Sequence, residues 1–359
     1  MSYLIAAAGT GGHVYPGLSV AEALVELGVS RTDILFVGGD RMEREVYPAE
    51  GYPFFEVEVR GLRRELSLRN LTLPLVVLRA RNRIREVMEL RKVRVALGMG
   101  GYVTIPAALA ASSAGVTFMN AEQNAEAGLA NRLAARWASR TFGAFPVTGG
   151  LPGAEWVGNP VRRPFWTFDR EQLRPGAREH YELDASGPVL GVVGGSLGAR
   201  TLNVAITDLV AHWEGPHLEV VHLTGPGAHG IPDDPEVSDK ISWRRIGFEK
   251  EIELFYAISD LAVARAGGAV AELTATGTPS VLIPGRFGSG RHQRENAEFL
   301  TGAGAAVTLS EEEVGGLREV VSSLMGDAAK LAAMRQSAKG IARPRAALDV
   351  AVAMLEEAA

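Results

Sequence analysis

The chain has 359 residues, 47% of them hydrophobic and 22% charged, a net charge of −5 and no cysteine. That length fits two domains, and the composition excludes a disordered chain, a disulfide scaffold, a thiolate metal site and a cysteine nucleophile. The acidic balance excludes a nucleic-acid coat, and no run of about 18 apolar residues exists to span a membrane.

The first strand is expected at Tyr3–Ala8, with no basic leader ahead of it, and it ends in glycines. A helix is expected over Gly17–Leu27, a strand over Ile34–Val37 ending in Gly38-Gly39, and a strand over Val93–Leu97 ending in Gly98, Gly100 and Gly101. Thr104–Ala111 reads as a helix, Val116–Asn120 as a strand and Gly128–Ala138 as a helix. The pattern restarts with strand Val189–Val193, ending in Gly194-Gly195, and helix Ala199–Val210. Strands follow at Glu219–Leu223, Leu261–Ala264 and Ser280–Ile283, with a helix from Ala269 and a last helix over Ala346–Ala358. Strands without a polar face that alternate with helices form parallel sheets covered on both sides. The fold class is therefore α/β, with two doubly wound domains and the Gly/Pro-rich stretch Phe142–Pro164 as linker. The domains are expected at 1–158 and 159–342, and the last helix, 343–359, could pack on either.

Ligands of open parallel sheets bind beyond the carboxyl ends of the strands, where these glycine turns lie, and a cleft between the two domains is the expected site. Gly9-Thr10-Gly11-Gly12-His13-Val14-Tyr15-Pro16-Gly17 lacks the third glycine of a dinucleotide fingerprint and the Gly-Lys-Ser/Thr of a P-loop. Such a turn still lets backbone approach a phosphate or sugar closely. His13 stands where a strand feeds a helix, and a helix N-terminus disfavours the imidazolium. A general base and a loop-capping histidine both fit that position. Ser196, in Gly194-Gly195-Ser196-Leu197-Gly198-Ala199, and Gly267-Gly268 after Arg265 are anion-type turns. Glu272, in the following helix, suits either a ribose diol or the helix dipole. Two such turns plus a diol-binding acid point to a nucleotide diphosphate-sugar.

Arg60–Arg94 carries eleven Lys/Arg against three Glu, a net +8, with leucines interleaved. An anionic membrane surface would bind such a segment, and its departure from the overall charge favours that reading over an Arg-rich solvated helix behind a buried leucine face.

Taken in order, these motifs resemble the MurG family along nearly the whole chain. The resemblance rests on Gly9–Gly17, Gly98–Val103 (GMGGYV), Glu122-Gln123-Asn124 with Ala127-Gly128-Leu129, and Gly158–Arg162 (GNPVR). It continues in Gly194-Gly195-Ser196 with Gly198-Ala199-Arg200, in Arg265-Ala266-Gly267, and in Gln293–Ala297 (QRENA). It implies the GT-B fold, two Rossmann-like domains, with the lipid acceptor on the first, the UDP-sugar on the second and the last helix, 343–359, packing back on the first. The implied activity is inverting transfer of N-acetylglucosamine (GlcNAc) from UDP-GlcNAc to lipid I, giving lipid II in peptidoglycan synthesis. His13 and Asn124 match catalytic positions, with Glu122 the next candidate base. The implied UDP-GlcNAc contacts are Thr10, Gly11, Gly12, Asn124, Arg162, Ser196, Phe248, Glu249, Gly267, Gly268, Glu272 and Gln293. No cofactor and no metal site are expected, a stimulating divalent cation being compatible with the family. The implied partners are UDP-GlcNAc, lipid I and, through Arg60–Arg94, an anionic membrane surface, which places the protein peripherally on the cytoplasmic face of the cell membrane. Nucleic acid is not expected. The sequence departs from the family pattern at Ala8, Ala121, Leu197 and Pro226, and the Arg265–Glu272 interval is one residue short. Those departures keep two other readings in view: a MurG-like transferase with another acceptor, and a non-catalytic nucleotide-sugar binder.

Overall fold

The structure is a computed structural model that describes residues 2–59, 72–184, 186–195, 198–285 and 290–359. The chain divides into two units, Met1–Arg163 with Pro344–Ala359, and Pro164–Arg343. Residues 159–163 thus fall in the first unit, past the boundary expected at 158.

The first unit holds strands β1 (Ser2–Ala6), β2 (Ile34–Gly38), β3 (Phe54–Glu56), β4 (Val93–Gly98), β5 (Thr117–Glu122), β6 (Arg140–Gly143) and β7 (Glu155–Trp156). They form one parallel sheet in the order β3-β2-β1-β4-β5-β6-β7. Its helices are α1 (Gly11–Glu26), α2 (Glu43–Ala49), α3 (Leu73–Arg91), α4 (Thr104–Ala114) and α5 (Leu129–Ala134). Every residue of β1 and β2 is buried, as expected of strands covered on both faces. On α3, Val76, Ala80, Ile84 and Met88 recur every fourth residue and are buried, so one stripe of that helix enters the core.

The second unit holds α6 (Arg170–His180), β8 (Val189–Val193), α7 (Arg200–Ala211), β9 (Leu218–Leu223), β10 (Ile241–Ile246), α8 (Ile252–Ile258) and β11 (Leu261–Ala264). It continues with α9 (Ala269–Thr276), β12 (Ser280–Leu282), α10 (Gly290–Gly302), β13 (Ala306–Thr308), α11 (Leu317–Met325) and α12 (Ala328–Ile341). Its strands form a parallel sheet in the order β10-β9-β8-β11-β12-β13. Leu190, Val192, Val220 and Val263 lie in a core shared with Leu202 and Ile206 of α7. The last helix, α13 (Ala346–Ala358), packs against α1 and β4 of the first unit.

Two sequence expectations change. The first helix begins at Gly11, six residues before Gly17, and carries Pro16 inside it. Only one backbone bond is forgone there, because proline lacks an N–H, and the position lies within the first two turns of the helix. The stretch Phe142–Pro164 is not simply a linker: it contains the end of β6 and all of β7, both paired in the first sheet. Its glycines serve turns inside the unit; a Cβ on Gly143 would run into Thr148.

Candidate active site

In the first unit, three turns meet at the carboxyl ends of β1, β4 and β5. Thr10 is extended and stands at the N-cap of α1, which makes His13 the third residue of that helix. Its Nδ1 lies 3.4 Å from Thr10 Oγ1. Gly11 is half-buried and Gly12 exposed, so this turn faces outward. A buried carboxylate fixes its approach: Glu43 accepts from Gly9 N at 3.2 Å and from Gly39 N at 3.1 Å, tying the turn after β1 to the turn after β2. The β4 turn comes close to the β1 turn, with Gly101 against the Ala8 carbonyl and Gly100 against the His13 ring.

The β5 turn is organised by Glu122. Its Oε1 accepts from the backbone of Gln123 and of Asn124 and from Asn124 Nδ2, each at 3.0 Å. Its Oε2 accepts from Gly128 N at 3.0 Å and Asn131 Nδ2 at 2.8 Å. Five donors on one buried carboxylate make it a scaffold, which corrects its candidacy as a base: both oxygens are already committed. Gln123 Nε2 donates to Ala121 O at 3.1 Å, and its Oε1 lies near the same point above Gly100 that His13 Nε2 approaches. Thr10, Gly11, Gly12, His13 and Asn124 are therefore brought to one edge of one sheet.

Arg162 also belongs to the first unit and acts electrostatically on Tyr15 and Glu22 of α1. Burial raises the Glu22 carboxyl, against the lowering effect of the Arg163 backbone and the Arg162 charge.

In the second unit, Ser196 and Leu197 lie outside the described residues. The turn around them is bounded by Gly195 and Gly198, and α7 begins two residues after Gly198. Gly267 and Gly268 precede α9, with open space where either would carry a Cβ. Glu272 sits in the first turn of α9, and its Oε2 accepts from the hydroxyl of buried Tyr256 at 2.8 Å. Gln293 on α10 accepts from Gly285 N at 2.9 Å, and Asn296 donates to Ala266 O at 3.0 Å, so α10 holds the turns after β11 and β12 together. Arg265 adds a bond to Ile283 O at 2.9 Å and an ion pair with Glu311 at 2.7 Å.

Phe248 is 54% exposed. The Glu249 side chain turns the other way, accepting from Tyr181 Oη at 2.8 Å and standing 3.2 Å from His180 Nε2. Burial would raise its carboxyl, but the Glu251 backbone, Tyr181 and His180 together hold it below the usual range. Burial and that same bond push the Tyr181 hydroxyl well up. Glu249 thus offers its backbone rather than its carboxylate.

A cavity of about 500 Å³ opens beside this region, lined by Gly198, Arg200, Asn203, Thr224, His229 and Gly230. Among the described residues, one group has metal-ligand character, Asp184, His217 and Glu219. It lies at the amino ends of β8 and β9, opposite the glycine turns, and Arg178 Nη2 stands 3.8 Å from Glu219 Oε2, a charge that disfavours a cation there.

Glu43, Tyr256 and Asn203 were not singled out from the sequence. Each acts through a partner in a distant stretch of chain, and a pairing of that kind leaves no local pattern.

Residues 3–143 match the glycosyltransferase family 28 N-terminal domain, and residues 189–349 match the family's C-terminal domain. A UDP-N-acetylglucosamine–N-acetylmuramyl-(pentapeptide) pyrophosphoryl-undecaprenol N-acetylglucosamine transferase of Desulforudis audaxviator is 37% identical over 100% of this chain and 99% of its own. Its counterpart from Halorhodospira halophila is 38% identical over 97% of this chain and 96% of its own. Among solved structures, MurG of Acinetobacter baumannii superposes with a TM-score of 0.78 at 27% identity, over 99% of this chain and 100% of that one. The two Rossmann-like sheets are those of the GT-B fold, and the chain belongs to the MurG family of glycosyltransferase family 28.

Proposed function

We propose that this protein transfers GlcNAc from UDP-GlcNAc to the muramoyl sugar of lipid I, forming lipid II. The carrying observation is that the full-length relatives bear this activity in their names while His13, Asn124, Glu272 and Gln293 all stand at carboxyl edges of the two sheets. The acceptor hydroxyl oxygen attacks the anomeric carbon of GlcNAc. The bond from that carbon to the β-phosphate oxygen breaks in the same displacement, its electron pair leaving with UDP, so the configuration inverts. His13 takes the hydroxyl proton, an assistance worth about 10²–10⁴-fold in rate. Thr10 and Gln123 flank its ring, and Glu122 fixes Asn124 in the turn after β5. On the donor side, the turns at Gly194–Ala199 and Gly267–Gly268 offer backbone N–H groups to the diphosphate, with Ser196 and Arg162 as further contacts. Glu272, already accepting from Tyr256 through Oε2, takes the ribose hydroxyls; Gln293 reads the sugar, and the Phe248–Glu249 backbone pairs with uracil. Thr10, Gly11 and Gly12 bring backbone close to the transferred sugar.

No described helix is long and apolar enough to cross a membrane. Peripheral binding to an anionic surface, on the cytoplasmic face, is part of the proposal. It is supported on α3 by Leu75 and Leu78, 57% and 50% exposed, with exposed Arg79 and Arg83 beside them. The stretch 60–71 of the basic segment lies outside the described residues.

The test is incubation with labelled UDP-GlcNAc and a lipid I analogue, comparing the parent with His13→Ala. A lipid-linked disaccharide from the parent, falling by about two orders of magnitude in the variant, supports the reading. Hydrolysis of UDP-GlcNAc without lipid-linked product, or transfer only to a soluble acceptor, overturns it.

A further inference from the structure

A buried polar relay lies beneath the 500 Å³ cavity of the second unit, and it links the two turns that border it. His222 on β9 has no exposed surface, and its Nε2 lies 3.0 Å from Asn203 Oδ1. Asn203, on the first turn of α7, is 1% exposed. Its Nδ2 donates to Thr224 O at 3.1 Å and to His229 O at 2.9 Å. Those two carbonyls stand at the two ends of the turn that follows β9. With both amide protons spent on carbonyls, Oδ1 is left as an acceptor, so His222 must supply the proton from Nε2. The ring is then neutral, its Nδ1 carrying a lone pair, and Nδ1 is buried without a hydrogen-bond partner. An imidazolium would bury an unsatisfied N–H there. The ring is held in plane by Trp243, stacked at 5.9 Å and 18°.

The turn after β8 is joined to the same point. Gly198 has φ +73, and a Cβ on it would run into the Thr224 carbonyl, so the two turns touch through backbone alone. Movement of Thr224 is therefore felt at Gly198.

We propose that His222, acting through Asn203, is a positioning residue for the donor, holding the turns after β8 and β9 in the register that receives the diphosphate of UDP-GlcNAc. This rests on the reading that the Gly194–Ala199 turn binds that diphosphate. The His222 proton and the two carbonyls together fix which way the Asn203 amide faces. Without it, Oδ1 is an orphaned acceptor, and a half-turn of the amide would set Oδ1 against two carbonyl oxygens. Neither orientation then satisfies the whole group, and the hold of Asn203 on the turn from Thr224 to Gly230 is weakened.

The experiment measures UDP-GlcNAc binding calorimetrically and steady-state kinetics on the full chain and three variants. His222→Phe keeps the ring and its stack but has no donor; His222→Gln restores a donor; Asn203→Asp replaces the donating Nδ2 by oxygen. The expected result is a Kd for UDP-GlcNAc raised at least about tenfold in His222→Phe and Asn203→Asp, with most of the affinity recovered in His222→Gln. The KM for the lipid acceptor should change by less than about twofold, since no acceptor contact is touched. A folded His222→Phe that binds UDP-GlcNAc as the parent does overturns the proposal, and so does His222→Gln behaving like His222→Phe. Should His222→Phe fail to fold, the other two decide: tight binding in His222→Gln with weak binding in Asn203→Asp supports it, and equal binding overturns it. A parent that does not bind UDP-GlcNAc refutes the donor-site reading itself, whereas a binding parent with indifferent variants refutes this inference alone.

Discussion

The His13 imidazole lies directly over Gly100: a Cβ at position 100 would stand 2.5 Å from His13 Cδ2 and 2.9 Å from Nε2. Gly100 also has φ +97, a conformation side chains rarely adopt. Gly100→Ala therefore both strains the turn, by about 1–3 kcal/mol, and displaces the ring. The expected outcome is a fall in kcat of at least about tenfold with UDP-GlcNAc affinity unchanged, read by steady-state kinetics beside a binding titration. On a His13→Ala background the same substitution should cost little further activity, because the ring it displaces is gone. Additive losses in the double variant would show that the effect does not pass through His13.

Glu122 separates two roles by its thermal behaviour. As a scaffold, its loss removes charged hydrogen bonds worth about 1.5–3 kcal/mol each. Glu122→Gln turns an NH₂ group toward donors, so both Tm and turnover should fall, and UDP-GlcNAc affinity should fall only as far as the Asn124 contact is lost. Turnover abolished at an unchanged Tm would instead mark Glu122 as a proton acceptor.

Leu75 and Leu78 test the membrane surface. They are exposed on α3, one turn apart and next to Arg79. Burying a leucine side chain is worth about 1.5–3 kcal/mol, and a cation near an anionic surface about 1 kcal/mol. Leu75→Ser/Leu78→Ser should weaken sedimentation with anionic vesicles at high salt, where screening leaves the apolar contribution dominant. Equal recovery of parent and variant with the vesicles would place the contact elsewhere.

His222 predicts an acid-sensitive second unit. Burial, and then the Arg245 charge, push its pKa from 6.5 down to about 3. Above pH 6.5 the ring is neutral in folded and unfolded chain alike, and its contribution is fully present. Between about 6.5 and 3 the unfolded chain takes up a proton that the folded chain refuses, so stability falls as the pH falls. Tm measured from pH 7.5 to 4.5 should decline more steeply in the parent than in His222→Gln. Parallel slopes would mean the histidine does not titrate in that window.

Most strands that build the site were legible because burial on both faces writes an apolar run that stops at a glycine; β5, which runs into Glu122-Gln123-Asn124, is the exception. β1 and β8 are such runs. β10 was not legible: Ile241–Ile246 is an edge strand with Arg244 and Arg245 in it, and its signal is mixed. α6 was hidden for a similar reason, since only Ala177 and Arg178 of its residues are buried. His13 was readable from its place between strand and helix, but its neighbour Gly100 comes from a turn far along the chain. Glu43 and His222 escaped because their roles depend on partners that only the sheet order brings near.

The return of α13 to the first unit has a consequence for synthesis. The second unit is continuous in sequence, from Pro164 to Arg343, whereas the first is closed only by Pro344–Ala359. Chains emerge from the ribosome N-terminal end first, at about 5–20 residues per second, and domains generally fold as units. Here the order is inverted: the later unit has all its sequence before the earlier one does. Until Pro344–Ala359 arrives, the apolar face of α1 that α13 covers waits uncovered, so a nascent chain stalled before that segment is the form most open to chaperones and to aggregation. A fusion that tethers or delays the C-terminus would lengthen that interval without altering a single residue of the site.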